Sequence, residues 1–517
     1  MRRLLLLATI AACSRGTRPP ASVAPVVHES QAPAAANDLM SDPDEYRIDH
    51  VSRDAGEAIF TRTGIGDPYR AGVPYPIFLA LLRAYPELFG HDTQELAARF
   101  GFVARTPDPS STDLDLREGL PLGMHLTTDP YTGVQFVVTN CALCHAERLH
   151  LPDGDRVVIG LGSKHVRIHA YDAAFADAAR RADFGGEKLA PLADEEAAAH
   201  HVSWGLDWRV PLVKATLDAM TARAKQRAEL IEKTRNGPPG RVAPIESFAL
   251  VLGAMRGTPI KTNEAVGWSK VPDVIGFAQR VTLSWDAAGE GPMDVLVVEA
   301  DVAAGVRPDW FWRHPLQGAS LGAFLRQPRR ELRFPGSIDR KLAAKGKQLF
   351  EDNCARCHGD YADDGHVIRY DEQVVPLDVV GTDPARANAV TDDFLAAAND
   401  PKITRELTHA RHTGGYVPPV LTGVWARAPF GHAGQWPSLA VMATPPADRA
   451  GHFAPYVFDP DAPYDLIDVG LAHHRRKELP GPFEQIVGAP PISPLGHPFL
   501  ADLGPDARAV VEYLKTL

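Results

Sequence analysis

At 517 residues the chain is longer than one hydrophobic core normally supports, so two or more domains are expected. Its 45% hydrophobic and 23% charged content is ordinary for a soluble globular protein. A formal net charge of −11, with no basic run beyond pairs such as Arg329-Arg330 and Arg475-Arg476, argues against a nucleic-acid partner.

Residues 1–12 read as an export signal: Arg2-Arg3 supply a positive start and Leu4 to Ile10 a short apolar core. That core is too short for a transmembrane helix. It ends in Ile10-Ala11-Ala12-Cys13, which resembles a bacterial lipobox. The resemblance implies cleavage before Cys13 and a lipid on that residue; Ser14 in place of Asp implies the outer membrane. The alternative is a simple cleaved signal with Cys13 incidental. Either version carries the chain to the periplasmic side. Residues 13–45, rich in Ala, Pro and Ser, read as a flexible tether.

Tyr75 to Tyr85 has the broad apolar face of a helix, with Pro86 marking its end. Thr106 to Asp115 is a polar loop. Gln135-Phe136-Val137-Val138 leads into Cys141-Ala142-Leu143-Cys144-His145. Val157 to Gly162 is an apolar run closed by glycines, without the full phosphate-binding fingerprint. Ala170 to Ala182 and Trp208 to Lys233 carry helical patterns, the second stopped by Asn236-Gly237-Pro238-Pro239-Gly240. Asp339 to Asn353 is helical and runs into Cys354-Ala355-Arg356-Cys357-His358. Pro505 to Leu517 forms a last helix, with Pro505 suited to its first position and Val510, Tyr513, Leu514 and Leu517 on one face.

The two Cys-x-x-Cys-His motifs carry the chemistry. Two thiols three positions apart can each form a thioether to a vinyl group of a porphyrin, and the adjacent imidazole then reaches the iron. Structural zinc is a poorer reading, because zinc-ribbon pairs usually lie within a few tens of residues of each other. A thioredoxin-like pair would not require the histidine, nor appear twice. Of five cysteines, four belong to the motifs and the fifth is Cys13, which leaves none for structural disulfides. Two covalent c-type haems are therefore expected, with His145 and His358 as their first axial ligands.

Around the second motif the pattern resembles the cytochrome c fold. There a helix preceding the haem motif crosses a C-terminal helix at a glycine-aromatic contact; Gly346 and Phe350 match the first helix, Tyr513 and Leu514 the second. The expected architecture is mainly α: two cytochrome-c-like domains, each with one covalently bound haem, spanning residues 46–335 and 336–517.

The stretch Tyr416 to Leu439, containing Thr422-Gly423-Val424-Trp425, Ala428-Pro429-Phe430-Gly431-His432 and Gln435-Trp436-Pro437-Ser438-Leu439, resembles a signature of the bacterial di-haem cytochrome c peroxidase superfamily. Its nearest likeness is the branch of the di-haem rubber oxygenases. Pro121-Leu122-Gly123, Gly240-Arg241-Val242, Trp285-Asp286, Gly496-His497-Pro498 and the closing Glu512-Tyr513-Leu514-Lys515-Thr516-Leu517 fit the branch in the same order. The resemblance implies that haem 1 reacts and haem 2 relays electrons. It implies His432 as the second ligand of haem 2, with Met442 as the alternative. Trp285 and Phe277 become candidates to line haem 1 or to sit between the haems, and Glu246 a candidate catalytic carboxylate.

Departures from the pattern lie where substrate would be chosen: Ala433 follows the histidine, Ala243-Pro244-Ile245-Glu246 replaces a more typical run, and Leu192 to Gly240 fits poorly. Rubber cleavage is therefore not implied. The default expectation is peroxide reduction at haem 1, with a small redox protein or cytochrome as partner. A dioxygen-dependent oxygenase is the alternative enzyme. A pure electron carrier would instead need a strong second ligand on haem 1, for which Met124, His125, His165 and His169 are the candidates. Some relatives also hold a calcium ion between the domains.

Overall fold

The computed structural model describes residues 45–66, 68–129, 132–202, 204, 206–290, 315–326, 332–404, 409–452, 463–471 and 492–517. The export signal (1–12), Cys13, nearly all of the tether and both arginine pairs lie outside them.

The first core is built around α1 (Tyr75–Ala84), which buries Ile77, Phe78, Leu81 and Leu82. Full burial of each such side chain is worth about 1.5–3 kcal/mol, enough to hold a ten-residue helix that would be marginal alone. The helix stops at Ala84 because Pro86 disfavours helical backbone at Tyr85. Strands β1 (Met124–Thr128) and β2 (Gln135–Thr139) pair antiparallel, with Met124 opposite Thr139. β2 delivers the chain to the first Cys-x-x-Cys-His turn. Gly123, at φ +91, lies so close under that turn that an added Cβ would overlap the backbone of Leu143. After the motif, β3 (Ala146–Leu151) and β4 (Gly154–Ile159) form a hairpin, so the apolar run at Val157 is a strand.

Helices α2 (Ile168–Ala179), α3 (Gly186–Ala199) and α4 (Leu206–Gln226) follow. The single helix expected over Trp208 to Lys233 is broken at Arg227, whose guanidinium reaches in to Asp172 at 2.6 Å; α5 (Ala228–Thr234) resumes after it. Next comes α6 (Pro244–Arg256).

In the second half, α7 (Arg340–Asn353) is capped by the Asp339 carboxylate, which accepts from the backbone N–H groups of Lys341 and Leu342. It crosses α8 (Ala507–Leu514) where expected: a Cβ on Gly346 would overlap the carbonyl oxygen of Ala509, and the Phe350 and Tyr513 rings lie 5.3 Å apart. Gly504 adopts φ 54 and turns the chain just before Pro505, which therefore stands at the start of the last helical run, as expected; its first residues are 3-10 and lead into α8.

The second core joins Phe350, Trp425 and Leu514 to Leu149, Leu161 and Ile275, so it draws on both sides of the expected boundary at 335/336. A three-stranded sheet does the same: the strand Gly289–Glu290 pairs with Thr282–Leu283 on one side and His409–Ala410 on the other. Helices and seven such small sheets alternate among the described residues, so "mainly α" is only a loose description of a cytochrome-c-containing fold. No described helix is long and apolar enough to cross a membrane.

Gly346→Ala is expected to lower stability by about 1–3 kcal/mol, the usual cost of overpacking, because the clash is with backbone that cannot swing away. Thermal unfolding of the variant beside the parent protein checks this.

Candidate haem-binding sites

Both motifs adopt the same local design. At the first, the Asn140 side chain accepts from the Ala142 N–H at 3.1 Å, and the N–H groups of Cys144 and His145 fold back on the Cys141 carbonyl at 3.2 and 2.9 Å. At the second, Cys354 closes α7, and the N–H groups of Cys357 and His358 both return to the Cys354 carbonyl at 3.0 Å. These turns bring each cysteine pair and its histidine to one side. None of the four thiols is in a disulfide. Among the described residues no three His, Cys, Asp or Glu side chains form a metal-holding group, so the motifs do not converge on a shared zinc there.

Each motif histidine is anchored through Nδ1. His145 Nδ1 lies 2.8 Å from the Pro272 carbonyl oxygen, and His358 Nδ1 lies 2.9 Å from that of Pro419. A carbonyl can only accept, so Nδ1 carries the proton and Nε2 keeps its lone pair. Burial pulls the pKa of both rings below the ordinary histidine value, which keeps them neutral. Two thiols and a neutral imidazole with a free Nε2 are the donor set a covalent haem needs, and the residues present at both sites fit the group. Nothing in the local sequence pattern marked Pro272 or Pro419, since they lie 127 and 61 positions from the histidines they orient.

Beside His358 the structure places a histidine other than His432. The histidine ring that meets His358 is His497, with centroids 6.2 Å apart. Two imidazoles sharing one metal, each nitrogen about 2 Å from it, place their centroids roughly 6 Å apart. His497 is held at φ 44, a left-handed conformation rare outside glycine, with its N–H donating to the Val380 carbonyl at 2.7 Å. Burial, and after it the neighbouring His358, push its pKa down to about 3.

His432 is elsewhere engaged. Its ring stacks on Tyr416 at 4.0 Å, and its carbonyl accepts the Lys270 N–H. Gln435 Oε1 accepts from the Ala433 N–H, which turns the Gln435 amide toward His432 Nδ1 at 3.2 Å. Nδ1 is thus the acceptor and Nε2 bears the proton, buried and without a hydrogen-bond partner.

Around the first motif, Cys141 packs in an apolar cluster with Phe60, Leu321, Phe324, Phe248 and Phe277. The four residues considered as strong ligands there lie in different settings, and the bonds of His125 and His165 are made through Nδ1, as at His145 and His358. Met124 is buried in the first core. His125 Nδ1 pairs with Asp115 at 2.8 Å, His165 Nδ1 with Glu147 at 3.1 Å, and His169 Nε2 accepts from the Ala243 N–H at 3.0 Å. Glu246 is buried on α6, with Oε1 accepting from the Gly267 N–H at 2.8 Å and Oε2 unpaired; Phe248 and Val251 are the α6 side chains that reach the Cys141 cluster. Trp285 spans the two proximal segments. Its Nε1 donates to the Lys270 carbonyl at 3.4 Å, its own carbonyl accepts the Val417 N–H at 2.8 Å, and Lys270 Nζ stands 5.9 Å from its ring.

Comparison with known proteins bears on the region around the second motif. A family described as cytochrome c matches residues 343–418, and one described as RoxA-like, cytochrome c-like matches residues 415–454. Two relatives from Sinorhizobium fredii (strain NBRC 101917 / NGR234) are similar over part of their length. Uncharacterized protein y4iJ is 26% identical over 256 residues, 37% of this chain and 41% of its own length. Uncharacterized protein y4iM is 32% identical over 149 residues, 23% of this chain and 32% of its own length. The chain therefore spans well under half of each. The matches establish cytochrome c sequence around the second motif, with the covalent c-type haem that implies, and support a haem-based role in redox chemistry and electron transfer.

Burial holds the His169 pKa at about 4. The unfolded chain protonates it near 6.5, so stability is full above that pH and is lost as pH falls from about 6.5 to 4, by about 3 kcal/mol. His169→Gln keeps an acceptor for the Ala243 N–H without the titration. Its unfolding free energy is expected to depend less on pH across this window, as denaturant titrations at a series of pH values would show.

Proposed function

We propose that the chain is a di-haem c-type oxidoreductase in which one centre reacts and the other stores or relays electrons. The observation that carries this reading is the asymmetry of the two histidines. His358 has a second imidazole ring, that of His497, with its centroid 6.2 Å away, whereas the ring beside His145 is the apolar one of Phe60 at 6.3 Å. When bound, a haem with two strong ligands supplies an electron-transfer centre, and one with a single strong ligand binds dioxygen or peroxide.

In this reading Cys141 and Cys144 hold haem 1, with His145 presenting Nε2 to its iron. Cys354 and Cys357 hold haem 2 between His358 and His497. His432 braces the signature loop against Tyr416 and Lys270 rather than ligating iron. Trp285 fills the space between the two proximal segments and is the side chain best placed to lie on the electron route. Export to the periplasmic side, a lipid on Cys13 and a small redox protein as electron partner belong to the same proposal.

Peroxide reduction and dioxygen chemistry on an organic substrate are the two activities this reading allows at haem 1, and dioxygen uptake and peroxide consumption by the reduced protein separate them.

The ligand assignment makes a sharper prediction. His497→Gly is expected to convert haem 2 from low to high spin, whereas His432→Ala leaves it low spin, by optical and EPR spectra of the oxidised proteins. The reverse outcome would restore His432 as the ligand.

A further inference from the structure

Asp273 directly follows Pro272, whose carbonyl orients His145. Its carboxylate lies 2.8 Å from Arg427 Nη2, with side chains only 3% and 6% exposed. The approach is off the line of a good hydrogen bond, and neither Asp273 oxygen has a hydrogen-bond partner. At its other end the Arg427 guanidinium donates through Nη1 to the carbonyl of Val420, the residue after Pro419, and more distantly to that of Thr422 at 3.4 Å. The pair thus runs from one proximal carbonyl to the other, one residue from each. Lys270 Nζ adds a tie by donating to the Arg427 carbonyl at 2.7 Å.

A buried ion pair with poorly satisfied oxygens is a weak means of stabilising a fold, because desolvation offsets the attraction. Its orientation suggests a different use. The negative end lies toward His145 and the positive end toward His358. Burial lowers the pKa of both rings; the Asp273 charge works against that at His145, whereas the Arg427 charge adds to it at His358. In a low-dielectric interior a fixed negative charge favours the more positive, oxidised state of a nearby centre, and a fixed positive charge the reduced state.

We propose that the buried Asp273–Arg427 pair is a positioning device that locks the two proximal carbonyls together and sets the potential difference between the centres, so that electrons reside on the haem at His358. The inference rests on the di-haem reading above. The pair acts through the proximal histidines and touches no substrate.

The test uses the full-length, haem-loaded protein, with redox titration of each haem followed optically and by EPR. In the parent, the haem at His358 is expected to be reduced first. Asp273→Asn is expected to raise both potentials, that at His145 more. Arg427→Gln should lower both, that at His358 more, so each variant narrows the gap. The double variant should return the mean potential toward the parent value. Shifts of the same sign in both single variants, or unchanged potentials with both haems bound, would overturn the proposal. A simply structural pair would lower the melting temperature in both variants without these opposed shifts. Should Asp273→Asn not retain haem, the downward shift in Arg427→Gln decides alone, since a rise or no change there is equally fatal. Fewer than two covalent haems in the parent, counted on a denaturing gel stained for haem, would instead defeat the di-haem reading.

Discussion

An imidazole binds iron only through a nitrogen that lacks a proton, and in this protein two prolyl carbonyls make that choice. The carbonyls of Pro272 and Pro419 each accept a hydrogen bond from the Nδ1–H of a motif histidine, fixing the tautomer and the ring plane together. Much of the architecture can be understood as support for those two acceptors. The strand at Ser269–Lys270 and the signature loop from Val417 to Ser438 are bound to each other by backbone, lysine and arginine contacts. Movement of either segment would release a proton acceptor and, with it, the geometry of a metal ligand.

From this shared frame the two sites diverge. The second brings a buried, neutral histidine from the C-terminal segment toward His358. The first surrounds its cysteine with aliphatic and aromatic side chains and commits the nearby histidines to carboxylates and backbone. Equal motifs thus acquire unequal surroundings from neighbours many positions away, since the pentapeptides themselves differ little.

The two motifs were legible because thioether chemistry demands a fixed local spacing. The helix crossing at Gly346 was legible for a similar reason: close approach of two helices admits only glycine there, and the aromatic partner falls one turn away. His497 was not. The resemblance favoured the histidine of the signature loop, and the sequence offers 20 histidines. The choice between His432 and His497 turns on an amide orientation at Gln435 and a left-handed backbone at His497, neither of which leaves a periodic trace. The proximal prolines were hidden likewise, since an acceptor supplied by backbone has no side-chain signal. Glu246 shows the converse case: a carboxylate in a promising region is turned by its helix toward Gly267.

The shared sheet bears on how such a chain can evolve. The strand Gly289–Glu290 has partners from both halves. Separating the halves would leave one of its edges without hydrogen-bond partners, a template for unwanted association. Although each half carries its own attachment motif, neither is a module that recombination could exchange freely. Sequence drift in one half is constrained by backbone pairing with the other, so the two are expected to be inherited and to diversify as a unit.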